Sequence, residues 1–152
     1  MKPQETVCFN IKVVWHAISR MYNEQALKHG STAAVGFVLL NIDQKGVPST
    51  KIGPQLGLES TSLTRILKNL EENELIYKVR DQEDKRLYRV FLTDKGKSYR
   101  DKARQVVKEF NQEVRNEISE KKLEVFFEVM EKINTIIDDR KVFSNPDLSS
   151  MK

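Results

Sequence analysis

"ESTSLTRILKNLEENELIYKVRDQEDKRLYRVFLTDKG", residues 59–96, carries the pattern on which the fold turns. Its first half sets Leu63, Ile66, Leu67 and Leu70 three and four positions apart, which is one face of an α-helix. Its second half changes period. "LIYKVR" and "LYRVFL" read as two strands around the polar loop "DQEDK", in a stretch dense in charge of both signs.

The chain just upstream explains what such a unit is for. "STKIGPQLGL" predicts a short helix from Ser49 or Thr50 to Gly57. Pro54 should keep it short or distort it, because proline removes one backbone donor and crowds the carbonyl of Thr50. Two helices joined by a tight turn at Gly57 make a helix-turn-helix, and a two-stranded ribbon directly after it makes a winged helix.

Farther out, Val7, Ile11, Val14, Trp15, Ile18 and Tyr22 stripe one face of a helix over 6–29. Gly30 suits its left-handed end and Ser31 the start of the next helix. "TAAVGFVLLNI" is apolar nearly all round, as a helix buried on several sides would be, and "DQKGVPST" reads as a turn. Beyond the ribbon, Thr93 can cap a helix that Gly96 allows to start close to the sheet. That helix continues through Ala103, Val106, Val107, Phe110 and Val114. Ser119 opens a last helix with Leu123, Phe126, Phe127, Met130, Ile133 and Ile137 in register.

The expected fold is therefore mainly α with a small β-hairpin wing. A winged helix-turn-helix over 31–100 is flanked by helices at 5–29 and 101–140, within a single domain 1–142 followed by a flexible tail, 143–152. The flanking helices hold more apolar face than so small a winged module can cover, and symmetric pairing is the commonest solution, so they are read as dimerisation helices.

Composition sets the bounds. The chain has 152 residues, 39% hydrophobic and 32% charged, enough for a core of its own. No apolar run reaches the roughly 18 residues of a membrane span, and "MKPQETVCFN" lacks a signal core, so a cytoplasmic location is expected. The single cysteine, Cys8, excludes an internal disulfide. Net charge is +4, with residues 49–100 holding 11 basic against 8 acidic groups. That is compatible with a polyanionic partner without establishing one.

Two blocks resemble the MarR family of bacterial transcriptional regulators. "STSLTRILKNLEENELI" is similar to the family's recognition helix and following strand. "DQEDKRLYRVFLTDKG" is similar to its wing, an acidic-x-x-Asp-x-Arg loop running into a strand and then Leu-Thr-x-x-Gly. Relatives often have Ser-Pro where this chain has Glu59 and Ser60, and Pro54 is a second departure, so the helix starts differ. The resemblance implies a homodimer on double-stranded DNA. Repression is its common mode, and a small-molecule effector or oxidant often acts in a crevice beside the dimer arms.

The residues assign roles within that frame. With the leucine face of helix 60–73 buried, Thr61, Ser62, Thr64, Arg65, Lys68 and Asn69 face outward. Arg65 is placed for guanine's acceptors in a major groove and Lys68 for phosphate. In the wing, 80–89, Arg86 stands where the resembling family places an arginine that enters the minor groove. Asp84 can orient that guanidinium, and Lys85, Arg80 and Arg89 are candidates for further backbone contacts. Ser49, Thr50, Lys51 and Lys95 are candidate phosphate contacts. Trp15, Ile18, Tyr22 and Phe37 are candidates to line an effector crevice, with plain core packing as the alternative.

Enzymatic function has little to recommend it. Cys8 and His16 sit roughly 12 Å apart along one helix, too far for a nucleophile and its base. No phosphate-binding glycine loop or metal-ligand spacing appears, and no cofactor is expected. The remaining rival is a winged helix for protein interaction or non-specific DNA binding.

Overall fold

The computed structural model describes residues 1–139, and the expected tail, 143–152, lies outside them. After a 3-10 turn at Pro3–Glu5 the elements run α1 (Val7–Leu27), α2 (Ala33–Leu40), β1 (Val47–Pro48), α3 (Ser49–Leu56) and α4 (Ser60–Glu72). Then come β2 (Ile76–Arg80), β3 (Tyr88–Leu92), α5 (Asp94–Glu117) and α6 (Glu120–Asp138). The described residues form two compact units, 1–108 and 109–139. No helix among the described residues is long and apolar enough to cross a membrane.

The expected helix-turn-helix is present. α3 spans eight residues, keeps Pro54 inside it, and ends at Gly57 in the left-handed region, φ 62°. In α4, Leu63, Leu67 and Leu70 are buried while Ile66 is half-buried. They join Val38 and Leu39 of α2, Ile42, Ile52 of α3, and Ile76, Val90 and Leu92 of the sheet in one core. Leu39, Ile42, Ile52, Leu70, Val38 and Val90 are fully enclosed, each contributing roughly 1.5–3 kcal/mol of transfer free energy.

Two expectations need correction. "DQKGVPST" is not only a turn: Val47 and Pro48 pair antiparallel with Val90 and Arg89. The wing is therefore one side of a three-stranded sheet, ordered β1-β3-β2, rather than an isolated ribbon. Proline is tolerated because this is an edge strand, and burial of Val47 holds the segment in place. Second, the residue capping α2 is Thr32, whose hydroxyl accepts from the Val35 amide, not Ser31. Gly30 does take the left-handed end of the α1 turn, and the Ser31 amide donates to the Ala26 carbonyl across it.

β2 and β3 pair in full register from Ile76 opposite Leu92 to Arg80 opposite Tyr88. Thr93 caps α5 by accepting from the Gly96 amide at 3.0 Å, while its hydroxyl donates to the Glu74 carbonyl at 2.7 Å. That junction sets the angle at which α5 leaves the sheet.

Candidate nucleic-acid interface

Thr61, Ser62, Thr64, Arg65, Lys68 and Asn69 are all solvent-exposed on α4. The α4 amphipathicity that buries the leucines sends these six outward together. The Arg65 side chain is exposed and makes no hydrogen bond or ion pair among the described residues, so its guanidinium is available to a ligand. Lys68 lies 3.8 Å from Glu72, and both side chains are largely exposed, a pair of little energetic consequence. The Thr64 hydroxyl donates back to the Ser60 carbonyl at 2.8 Å and keeps its lone pairs for a partner. Glu59 precedes the helix without a side-chain cap, leaving the first amides of α4 open to an anion.

An open groove separates α3, α4 and the hairpin, lined among others by Ser49, Thr50, Ser60, Thr64, Lys78 and Tyr88. It brings together three of the expected residues, Ser49, Thr50 and Thr64. Sequence reasoning missed Ser60, Lys78 and Tyr88, which enter only because three separate elements converge. Lys51 is exposed on α3 outside the groove wall. Lys95 is less free than expected: its ammonium donates to the Asn73 carbonyl at 2.9 Å and closes the end of α4.

In the wing, Arg86 is 91% exposed, and its Nε donates to Asp84 Oδ1 at 3.3 Å. The Arg86 amide donates to the same oxygen at 3.0 Å. Arg80 donates to the Lys85 carbonyl at 3.0 Å and lies over the Tyr88 ring at 5.5 Å, so the loop is stiffened on that side. Arg89 is not the loose backbone contact expected: it is turned onto the protein, where it grips the Lys45 and Gly46 carbonyls.

Asp81, not singled out from sequence, is buried. Amides of Asp84 and Glu83 donating to it hold its carboxyl below the usual carboxylate range, with Arg89 acting in the same direction against partial desolvation. A depressed folded-state value means stabilisation that is present above the ordinary aspartate value, about 4, and lost as pH falls through the lower folded one. The NMR signal of the Asp81 carboxyl carbon should thus titrate below the ordinary aspartate value, about pH 4. A transition at higher pH would contradict this account of the loop.

The crevice candidates are partly assembled. The Phe37 ring stacks near Trp15, centroids 6.2 Å apart, and meets Tyr22 edge-on at 5.7 Å. Tyr22 and Phe37 line a cavity of about 60 Å³ together with Gly36, Tyr99, Lys102 and Val106; Trp15 and Ile18 are not on its wall. Burial pushes the Tyr22 phenol upward.

Residues 32–103 match the family model described as "Transcriptional regulator SarA/Rot". A relative from Methylorubrum extorquens, the HTH-type transcriptional regulator TtmR, is 35% identical over 97 residues, covering 63% of this chain and 50% of that protein. The chain thus spans about half the length of that relative. Among solved structures, a Staphylococcus aureus MepR–DNA complex superposes with a TM-score of 0.76 at 21% identity, covering 86% of this chain and 97% of that one. A mutant MarR from E. coli gives 0.67 at 22%, covering 84% and 96%. The resemblance to the MarR family read from the two sequence blocks is borne out, and the fold is its winged helix.

Proposed function

We propose that this chain, a MarR-type winged helix whose residues 32–103 match the SarA/Rot regulators, is a DNA-binding transcriptional regulator acting as a homodimer. The observation carrying the proposal is the outward face of α4, with unpaired Arg65 at its centre, set on the same winged unit as an exposed arginine at the wing tip. Helix and wing of that kind enter neighbouring major and minor grooves. MepR, whose fold this chain shares, is solved in complex with DNA, which supports the DNA reading.

Two copies are part of the proposal. On α1, Val7, Ile11, Val14 and Trp15 are between 39% and 57% exposed, and α6 presents Val125, Phe126, Phe127 and Ile137 similarly. Apolar surface on that scale is covered in working proteins, and a second copy is the commonest cover. A two-fold pair would set its recognition helices about 10 base pairs apart, on a pseudo-palindromic operator. Repression by occupying the operator, in the cytoplasm, completes the reading. The cavity beside Tyr22 and Phe37 supports an effector only if it widens, because a benzene-sized guest needs about 150 Å³.

Selection of bound duplexes from a random pool tests the proposal. Inverted repeats should emerge. On those duplexes Arg65→Ala should cost about 1–3 kcal/mol per half-site and relax preference at one base position. Lys68→Ala should weaken every duplex alike and flatten the salt dependence. Identical behaviour of both variants across a duplex panel would favour non-specific binding, and no binding at low salt would favour a protein-interaction module.

A further inference from the structure

The exposed wing arginine raises a question of order. A side chain that is 91% exposed gains nothing from packing, and among the described residues its one side-chain partner is Asp84. What holds Asp84 therefore decides how well Arg86 is aimed.

The answer starts far away in sequence. Gly46, at φ +70°, lies so close to Phe91 that a Cβ there would sit 2.6 Å from its ring, so the turn before β1 packs against β3 in a form that suits glycine. That turn presents the Lys45 and Gly46 carbonyls, and Arg89 of β3 donates to both, at 3.2 and 2.7 Å. The other arm of the same guanidinium donates to Asp81 Oδ2 at 3.3 Å. Asp81 Oδ1 accepts from the amides of Glu83 and Asp84 at 2.9 and 3.1 Å. Asp84 Oδ1 in turn accepts from the amide and Nε of Arg86. The loop is closed by the Asp81 amide donating to Leu87 O and the Leu87 amide to Asp84 O, both at 2.9 Å.

We infer that Asp81 and Arg89 are positioning residues for Arg86, fixing the wing tip against the β1 turn so that its arginine is ordered before any partner arrives. Asp81 is the buried charged residue of the described set, in a loop where a buried carboxylate is tolerated only because each of its oxygens is used. Arg89 is two-thirds covered and bonded to Asp81 and to the Lys45 and Gly46 carbonyls, so its donors are turned onto the protein. Ordering a long side chain in advance removes a cost otherwise met on binding, once for each of two wings.

This inference rests on the DNA reading, and a cycle of variants separates the two. On duplexes recovered by the wild-type protein, Asp81→Ala should lower affinity roughly 10-fold to 100-fold. In an Arg86→Ala background the same change should cost less than about 2-fold, since no arginine remains to be aimed. Asp81→Asn, which can still accept from both amides, should fall between. A wing loosened in general would lose affinity equally in both backgrounds, through its other cations, and that result overturns the inference. Should Asp81→Ala not fold, by circular dichroism and melting, the Asp81→Asn and Asp81→Asn/Arg86→Ala pair carries the same comparison. A second measurement needs no DNA: nitrogen relaxation at Arg86 Nε of the free protein should report an ordered side chain in the wild type and a mobile one in Asp81→Ala. If no duplex is bound at all, the DNA reading falls. A change in Arg86 order would then still support the positioning, and an unchanged one would overturn it.

Discussion

Arg86→Ala is expected to lower affinity for a selected operator about 100-fold, near 2.7 kcal/mol, while the melting temperature stays unchanged. The size follows from counting. An arginine well placed in a groove contributes about 1–3 kcal/mol, and a two-fold dimer carries two of them. The unchanged stability follows from exposure: the side chain is 91% exposed and its pair with Asp84 is solvated, so removal affects folding by less than about 0.5 kcal/mol. Each wing also neutralises charge on the duplex, so the salt dependence should lose about one unit of slope per wing. Fluorescence anisotropy at several salt concentrations, beside a thermal melt, reads both quantities. Wild-type affinity in the variant would reduce the wing to a turn between strands. A lowered melting temperature would mean that the loop needs Arg86 for its own folding, which its exposure argues against.

Wherever one period governs a segment, this architecture was readable in advance. The leucine spacing of α4 gave both its buried face and the six outward residues, because a helix carries both on one cylinder. The hairpin followed from alternation, with Ile76, Val90 and Leu92 turned inward. β1 has no period to read: it is two residues whose pairing partner, β3, lies some forty positions on. The Asp81–Arg89 network escaped for a related reason. Its anchors are the carbonyls of Lys45 and Gly46, and a backbone acceptor leaves no mark in the identity of its residue. Arg89 was read as a candidate for backbone contacts on a partner; its donors go instead to the β1 turn and to Asp81. The aromatic stripe on α1 divides on geometric grounds. At 1.5 Å per residue α1 is about 31 Å long and α2 about 12 Å, so α2 covers one end of the stripe. Tyr22 lies against the cavity while Trp15 stays 52% exposed.

Gly96→Ala should be the most destabilising single-methyl change in the winged unit. A Cβ built on Gly96 meets the Leu75 carbonyl oxygen at 1.9 Å and its carbon at 2.9 Å. Both are backbone atoms, and that carbonyl is already held by the Thr93 amide at 3.1 Å, so it cannot rotate aside without breaking the junction. Thr93 Oγ1, bonded to Glu74 O and to the Gly96 amide, and Lys95, bonded to Asn73 O, tie the same corner together. Alanine ordinarily gains about 1 kcal/mol over glycine inside a helix, which the clash must first cancel. Overpacking with backbone displacement costs about 1–3 kcal/mol and more where nothing can give, so a net loss of about 3 kcal/mol is expected. For a chain of this length that is a fall of roughly 6–12 °C in melting temperature. Gly36→Ala provides the contrast. It too lies within a helix, but its Cβ would find only the Ala103 methyl, at an ordinary 3.5 Å. There the propensity gain is unopposed, and stability should rise by up to about 1 kcal/mol. Calorimetry of the two variants side by side separates steric exclusion from helix propensity. Equal effects in the two would mean that α5 can draw back from Leu75, and that Gly96 is not what allows the helix to start so close to the sheet.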